Sequence, residues 1–377
     1  MEKIRIARPI LFITRTYPPV LGGMETLSFN LIKNVSALTP TKTVINRYGK
    51  KALPFFLPWA LLRAFILILV NKIKVVHLSD GVMAPLGVIL KFFFKNIKIV
   101  CNIHGLDITY AEKSLIYKKV NLPAINRLDL LIAVSQDTKE TCVKFGLNPK
   151  KIIVIPNGTD TKENYRLSLK ENFSQKRAIG KRLIPETDFF DQEENFLILF
   201  LGRIVERKGL HWFVENVIPQ LPDRAKLIVA GSGSFEFKVK EIIERKKLNS
   251  RVLMLGFISS KVKRFLLNVC DILIMPNIEV EGDKEGFGIT AIEAGAAELL
   301  PLVSGIEGLK DAISHKKNGL IFPSLDAAKY RKTIEFLMEN PDFRIDLAKK
   351  SRQYVKDHFD WSVVGKKYLA EFDKINK

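Results

Sequence analysis

The sequence predicts an α/β protein made of two domains, each with a parallel sheet covered by helices. Three observations predict it. Short β-branched runs alternate with longer amphipathic segments, which is typical of βαβ units. The alternation stops over residues 160–195 and then resumes. The chain has 377 residues, of which 47% are hydrophobic and 27% charged, so it can build two cores and is neither disordered nor fibrous.

The first series of elements occupies residues 1–160, which we predict to be the N-terminal domain. Strand-like runs lie at Ile4–Ile13, Lys74–Leu78, Ile97–Ile103, Leu130–Val134 and Lys151–Ile155. Helix-like segments lie between them at Glu25–Val35, Val82–Lys95 and Gln136–Phe145.

Residues 161–195 are polar and charged, and we predict a linker or an excursion between domains there. The second domain is predicted over residues 196–357. Its strand-like runs are Phe196–Leu201, Lys226–Ala230, Arg251–Leu255, Ile272–Met275 and Leu299–Ser304, with helices such as Phe235–Lys247 and Lys261–Asn268 between them. The tail from Asp326 to Lys377 is predicted to be helical, with a break near Pro341. Ligands of doubly wound sheets bind at the carboxyl ends of strands, so two such domains favour a site in the cleft between them.

Positive charge is concentrated in the first half of the chain. The formal net charge is +20, and residues 1–160 carry 23 Lys and Arg against 9 Asp and Glu. A basic surface attracts phosphates, nucleic acid or anionic lipid. The alternative is a basic protein whose charge serves only solubility.

Cysteine usage and the start of the chain favour a cytoplasmic protein. Cys101, Cys142 and Cys270 form no CxxC pair, which fits a reduced compartment. The start Met1–Arg5 lacks an apolar signal core.

The apolar stretch Leu53–Val70 contains Pro54, Pro58 and Arg63, so its unbroken apolar part is shorter than the roughly 20 residues of a spanning helix. We interpret it as a helix partly buried in a core. A helix lying on a membrane surface is the alternative, since basic residues flank it.

Two short motifs follow strand-like runs of the first domain. Gly22-Gly23 opens a helix, where a backbone without side chains lets a ligand approach closely and the helix start favours negative charge. His104 follows the run that ends at Ile103, at the position where such sheets bind ligands. Taken alone, the glycine pair is equally typical of a plain strand-to-helix turn, and a lone histidine is more often structural.

The loop after Phe196–Leu201 carries Arg203 and Lys208, five residues apart. The planar guanidinium and the point charge of the ammonium together suit a diphosphate. A solvated basic loop is the alternative.

The most specific motif places Glu285 and Glu293 eight residues apart around the start of a helix near Gly288, with Glu293 about two turns into it. Both carboxylates are expected to point into one site, at different depths, where they accept hydrogen bonds from sugar and ribose hydroxyls. The amides of Phe287, Gly288 and Ile289 are expected to meet phosphate at the helix start.

The order of these motifs resembles glycosyltransferase family 4, which has the GT-B fold, and the resemblance covers nearly the whole chain. The matching elements are Gly22-Gly23, His104-Gly105, Pro156–Asp160, Gly202-Arg203 with Lys208-Gly209, Gly231–Gly233, Glu285 with Glu293, Asn318–Ile321 and Phe359–Trp361. The resemblance implies two Rossmann-like domains facing across a cleft, with the last helix, about residues 358–377, crossing back to the N-terminal domain.

The resemblance also implies roles for single residues. Arg203 and Lys208, next to Gly202, would bind the donor diphosphate and stabilise the charge of the leaving group. Glu285 would hold the donor sugar and Glu293 the ribose. Other implied contacts to the donor involve Gly22, Gly23, His104 and Phe257, the last near the base.

These expectations describe a retaining hexosyltransferase that uses a nucleotide-diphosphate sugar as co-substrate. The acceptor is expected to attack the sugar from the same face as the leaving phosphate, which assists the attack. No DxD triplet occurs in the sequence, so we expect no metal. The expected acceptor is a glycan or lipid-linked hydroxyl in polysaccharide, lipopolysaccharide or glycolipid synthesis, reached from the cytosolic face of an anionic membrane. An epimerase or phosphorylase of the same fold remains an alternative. A non-catalytic nucleic-acid-binding protein is disfavoured because no stacking platform or known motif is present, and we expect no nucleic-acid partner.

Overall fold

The computed structural model describes residues 9–20, 22–162, 173–185 and 187–376. The chain divides into two compact units. The first unit comprises Met1–Gly158 and Trp361–Lys377, and the second unit comprises Thr159–Asp360.

The described residues of the first unit form a sheet of six parallel strands in the order β2-β1-β3-β4-β5-β6. The strands are β1 (Ile10–Thr14), β2 (Thr41–Ile45), β3 (Val75–Leu78), β4 (Lys98–Ile103), β5 (Leu130–Ala133) and β6 (Ile152–Val154). The helices are α1 (Gly23–Ser36), α2 (Leu53–Asn71), α3 (Ala84–Phe93), α4 (Leu106–Lys113), α5 (Leu115–Arg127) and α6 (Gln136–Lys144). Every residue of β1, β3 and β5 is buried, as expected for a parallel sheet covered on both faces.

The second unit repeats this architecture with six parallel strands among its described residues, in the order β12-β11-β10-β7-β8-β9. The strands are β7 (Phe196–Leu201), β8 (Ala225–Ala230), β9 (Val252–Gly256), β10 (Ile272–Met275), β11 (Leu300–Ser304) and β12 (Leu320–Phe322). The helices are α7 (Phe173–Leu183), α8 (Leu210–Asn216), α9 (Glu236–Arg245), α10 (Ser260–Val269), α11 (Ile289–Ala296), α12 (Leu309–Ala312), α13 (Ala327–Glu339) and α14 (Pro341–Phe359). The α/β prediction is confirmed in both units.

The last helix, α15 (Trp361–Ile375), belongs to the first unit, as predicted. It packs on α1, and its Phe372 ring lies 6.1 Å from the ring of Phe12 in β1. The segment in which the chain leaves the first unit lies beside the segment in which it returns, since the amide of Thr159 donates to the carbonyl of Phe359 at 2.8 Å. The helical tail therefore has a second break, at Asp360, in addition to the predicted one near Pro341.

Some elements escaped the sequence analysis. The edge strand β12 has only three residues, and β2 has one buried residue among five, so neither shows the buried run that marks a central strand. The helices α4 and α5 carry almost no amphipathic pattern. Of the predicted first strand, residues 4–8 lie outside the described residues.

Of the predicted linker, residues 161–162, 173–185 and 187–195 are described. There the structure belongs to the second unit, because the Phe190 ring lies 5.3 Å from that of Phe265 in α10. A Cβ added to Gly180 of α7 would lie 2.7 Å from the same Phe190 ring, which shows how closely this helix packs.

Candidate functional site

The loop after β7 brings two cations to one carboxylate in the second unit. Lys208 Nζ forms an ion pair with Glu285 Oε2, and Arg207 Nη1 lies 2.6 Å from the same oxygen. Arg207 Nε also lies 3.0 Å from Asp283 Oδ1. The side chains of Arg207, Lys208 and Glu285 are nearly buried, so these charges interact with little screening by water.

Further hydrogen bonds fix Glu285 from several sides. Asn277 Nδ2 donates to Glu285 Oε2 at 3.2 Å. The backbone amide of Glu285 donates to Glu307 Oε2 at 2.6 Å, and its carbonyl accepts from Gly308 at 3.1 Å. Burial alone raises the pKa of Glu285, but the charges of Lys208 and Arg207 outweigh it and lower that pKa to about 2. The carboxylate is therefore ionised at neutral pH.

Glycine at position 209 lets the basic loop approach the backbone after β10. Gly209 has a φ of 64°, and a Cβ there would lie 1.9 Å from the carbonyl oxygen of Pro276. The amide of Ile278 donates to the carbonyl of Arg207 at 2.9 Å. These contacts hold Arg207 and Lys208 beside the segment that leads to Glu285.

Glu293 forms a separate ion pair with Lys263 of α10, whose Nζ lies 2.7 Å from Glu293 Oε1 and 2.8 Å from Oε2. It is the fifth residue of α11, so it lies just over one turn into the helix, and the predicted two turns were wrong. The helix begins where predicted, with Gly288 as its N-cap at a φ of 86°, so the error lay in the number of turns between that start and Glu293. The described contacts thus give Glu285 and Glu293 different partners.

The remaining predicted residues of the second unit differ in exposure. The Phe287 side chain is buried against Phe359, with ring centroids 5.7 Å apart, so only its backbone is available to a ligand. Arg203 and Phe257 are exposed, Phe257 to 74%. Gly202 has a φ of 149°, and a Cβ on Gly231 would lie 1.8 Å from its carbonyl oxygen.

In the first unit, His104 follows β4 and is held by two hydrogen bonds. Its Nε2 lies 3.1 Å from the carbonyl oxygen of Ser79, and its backbone amide donates to Asp107 Oδ1 at 2.9 Å. A carbonyl oxygen only accepts, so Nε2 carries a hydrogen, and the neutral ring has Nδ1 as its acceptor.

Carboxylates lock the loops on either side of His104. Asp107 also accepts from the amide of Gly81 at 3.1 Å, and burial raises the pKa of Asp107. Asp80 lies 2.9 Å from Arg15 Nε and accepts from the amide of Val82.

A buried polar group lies under this region. His77 Nε2 is 3.0 Å from Asn102 Oδ1, which also accepts from the Tyr368 hydroxyl of α15 at 3.1 Å. Burial lowers the pKa of His77 to about 4, although the hydrogen bond to Asn102 opposes it. A small cavity lies beside these groups, lined among others by Leu31, His104 and Trp361.

Gly22 and Gly23 lie at the exposed start of α1, where Gly22 is the N-cap in an extended conformation. A Cβ on Gly23 would meet no atom within 4 Å, and one on Gly22 would meet only the flexible side chain of Glu25. Neither the backbone nor the packing of this protein therefore requires glycine at position 23.

Five residues that contact the predicted ones directly or through Arg207 were not predicted from the sequence: Arg207, Lys263, Asn277, Asp283 and Glu307. Arg207 and Asp283 each lie within two residues of a predicted site residue, which was the one signal available. Lys263, Asn277 and Glu307 come from separate elements, and no spacing in the sequence joins them to Glu285 or Glu293. Among the described residues, no group of three or more His, Cys, Asp or Glu is arranged to hold a metal ion.

Comparison with known families assigns both halves of the chain. The model for "Glycosyltransferase Family 4" matches residues 13–163. The model for "Glycosyl transferases group 1" matches residues 186–354.

Two relatives illustrate the similarity in sequence. An uncharacterised glycosyltransferase of Methanocaldococcus jannaschii is 25% identical over 390 residues, which cover 95% of this chain and 96% of that protein. The N,N'-diacetylbacillosaminyl-diphospho-undecaprenol alpha-1,3-N-acetylgalactosaminyltransferase of Campylobacter jejuni is 28% identical over 255 residues, which cover 65% of this chain and 60% of that protein.

Solved structures share the fold at low sequence identity. HepE of Anabaena in complex with UDP has a TM-score of 0.76 and 18% identity, covering 97% of this chain and 100% of that one. Sucrose-phosphate synthase of Thermosynechococcus elongatus has a TM-score of 0.77 and 18% identity, covering 98% of this chain and 99% of that one.

Proposed function

Because this chain belongs to glycosyltransferase family 4 and has the GT-B fold, we propose that it is a retaining enzyme that transfers a hexose from a nucleotide-diphosphate sugar. The observation that carries the proposal is the buried network of Lys208, Arg207 and Glu285 at the carboxyl end of β7. It places a cation suited to phosphate, Lys208, in direct contact with an ionised carboxylate suited to sugar hydroxyls, Glu285.

The charge arrangement supports binding of a diphosphate. Lys208 is balanced by Glu285, which Arg207 also contacts. A phosphate that approaches Lys208 therefore leaves Glu285 with a cationic partner in Arg207. Arg203 is exposed in the same loop and can turn its fork toward a second phosphate.

In the proposed reaction the bond between the sugar C1 and the diphosphate oxygen breaks, and the acceptor hydroxyl oxygen bonds to C1 on the same face. The hydroxyl proton passes to the leaving phosphate oxygen. Lys208 and Arg203 stabilise the negative charge that grows on the diphosphate, and such preorganised charge is usually the largest catalytic contribution. With no DxD in the sequence, we propose that these cations act without a metal ion.

The other contacts follow the family pattern. We propose that Glu285 holds the sugar hydroxyls, Glu293 the ribose and the exposed Phe257 the base. His104 offers Nδ1 to the sugar while Nε2 is held by Ser79. The relatives include an enzyme named for an undecaprenol-linked substrate, which supports a glycan or lipid-linked acceptor.

The test combines donor binding with stereochemistry. The full chain is screened for thermal stabilisation by UDP-, GDP- and ADP-sugars, and the best donor is assayed with lipid-linked and soluble acceptors. We expect an α-linked product from an α-linked donor, measured by NMR, and unchanged activity in EDTA. A β-linked product would overturn retention, and loss of activity in EDTA that Mn²⁺ or Mg²⁺ restores would overturn metal independence. Release of nucleotide without transfer to any acceptor would point to an epimerase, and a strict requirement for phosphate to a phosphorylase.

A further inference from the structure

Helix α2 buries one apolar side and exposes a second, larger apolar side. The buried residues are Phe56, Ala60, Ala64 and Ile68, and they face the core beside β1 and β2. The exposed apolar residues follow a helical stripe: Phe55, Trp59, Leu62, Ile66, Leu69 and Val70. A helix that only covers a sheet would place polar residues on its outer face, so this stripe is suited to contact with something apolar.

The apolar surface continues onto α3. Phe65 of α2 lies 5.7 Å from the ring of Phe93 and 4.6 Å from that of Phe94. Ile89, Phe92 and Phe93 are exposed, Phe92 to 76%. We call this continuous area, formed by the exposed residues of α2 and α3, the α2–α3 surface. Contiguous exposed apolar area of this kind marks interaction sites.

The chain segment that contains the α2–α3 surface is strongly basic, although Lys91 of α3 is paired with Asp129. Between Glu25 and Asp107 the sequence has eleven Lys and Arg, and Asp80 is its one acidic residue. Asp80 is buried and paired with Arg15, so it does not offset the surface charge. Lys51, Arg63, Lys72 and Lys95 are exposed on or beside the two helices.

We propose that the α2–α3 surface binds an anionic lipid bilayer, with α2 lying in the interfacial plane. An apolar stripe that includes an exposed Trp and is bordered by Lys and Arg matches both layers of such a membrane, the acyl boundary and the negative headgroups. The exposed basic residues beside the stripe attract anionic headgroups, which favours a lipid surface over a neutral apolar partner.

The buried face of α2 decides between lying on the membrane and crossing it. By length and composition α2 alone among the described helices is able to span a bilayer. Crossing would expose Ala60 and Ala64, which are fully buried, together with the face of the sheet that they cover. Binding in the plane leaves that packing intact.

The experiment uses the full chain and measures binding directly, so its outcome does not depend on the proposed transfer reaction. Flotation with phosphatidylglycerol vesicles is compared with phosphatidylcholine vesicles over a series of NaCl concentrations. We expect binding to the anionic vesicles that weakens with salt. Absence of binding at low ionic strength would overturn the proposal.

Variants locate the surface. Phe55→Ser, Leu62→Ser and Leu69→Ser combined should weaken partitioning at least about 100-fold. Phe237→Ser is the matched control, since Phe237 is 79% exposed on α9 of the second unit. Arg63→Glu with Lys72→Glu keeps the apolar stripe and should weaken binding by more than about fivefold per residue. Unchanged binding in both sets would overturn the assignment.

Trp59 reports on depth because it lies within the stripe, whereas Trp361 is buried and Trp212 lies on α8 of the second unit. Brominated lipids should quench tryptophan fluorescence in the parent chain and much less in Trp59→Phe, which should still float. Equal quenching in both would place the membrane elsewhere. A dimer in light scattering that the serine variant abolishes, without flotation, would show that a second copy covers the surface instead.

Discussion

The two units bury their polar groups in different ways. Around His104 in the first unit, orientation is fixed by hydrogen bonds between side chains and the backbone: His104 contacts the carbonyl of Ser79, and Asp107 accepts from the amides of Gly81 and His104. Around Glu285 in the second unit, full charges balance one another through Lys208 and Arg207. Backbone partners hold a side chain in one orientation, whereas an ion pair can exchange one partner for a phosphate. The second arrangement suits a charged ligand, and the first suits the positioning of an uncharged one.

The largest expected effect breaks the ionic network. Lys208→Ala removes a buried cation and should lower kcat by roughly 10²–10³, as for other groups that stabilise transition-state charge. The measurement is turnover at saturating donor, with circular dichroism to verify the fold. Lys240→Ala is the matched control, because Lys240 forms an exposed i,i+4 pair on α9 and should leave kcat unchanged. Near-normal turnover of the Lys208 variant would remove Lys208 from the catalytic assignment.

The two units should also lose stability over different pH ranges as the pH falls, through Glu285 in the second unit and His77 in the first. The pKa of Glu285 is about 2 in the fold against an ordinary 4.5, so its stabilisation is complete above pH 4.5 and is lost as the pH falls toward 2. The pKa of His77 is about 4 against 6.5, so the fold resists its protonation and stability is lost as the pH falls from 6.5 to 4. Each difference corresponds to roughly 3 kcal/mol of unfolding free energy.

Urea unfolding between pH 7 and pH 2 measures both ranges. His77→Phe keeps an aromatic ring beside Phe12 and Phe372 and should flatten the curve between pH 6.5 and 4 only. Glu285→Gln should flatten it below pH 4.5 only. If the curve of His77→Phe runs parallel to that of the parent between pH 6.5 and 4, the lowered pKa of His77 is contradicted. If the curve of Glu285→Gln does so below pH 4.5, the lowered pKa of Glu285 is contradicted.

The smallest effect on stability is expected for Gly23→Ala at the start of α1, and this variant separates a role in folding from a role in ligand contact. Gly23→Ala meets no atom in the fold, so the free energy of unfolding should change by less than about 1 kcal/mol, with the sign favouring alanine in a helix. If a donor approaches this backbone, the KM for the donor should rise while stability holds. An unchanged KM would show that the glycine pair serves no donor contact.

Much of the fold was predictable because central parallel strands are continuous apolar runs. β7 and β10 have the bounds that the sequence predicts, Phe196–Leu201 and Ile272–Met275. The edge strand β2 was missed because one face meets solvent and its five residues include a single buried one. Lys208 and Glu285, which the structure brings into contact, could be singled out in the sequence because each lies in a loop that also holds glycines.

What the sequence by itself determined is which residues carry charge, which lack side chains and the order in which they follow buried strands. The tertiary structure decided the pairing. Arg207 was one cation among several in a basic loop until the fold placed it between Asp283 and Glu285, through the contact of Gly209 with Pro276. Helix α2 is largely apolar in sequence, and only packing showed that Phe56, Ala60, Ala64 and Ile68 face the core while most of its other large apolar side chains face outward. Composition and local spacing encode burial and turns, but Coulomb and hydrogen-bond partners depend on distances in space between segments far apart in the chain.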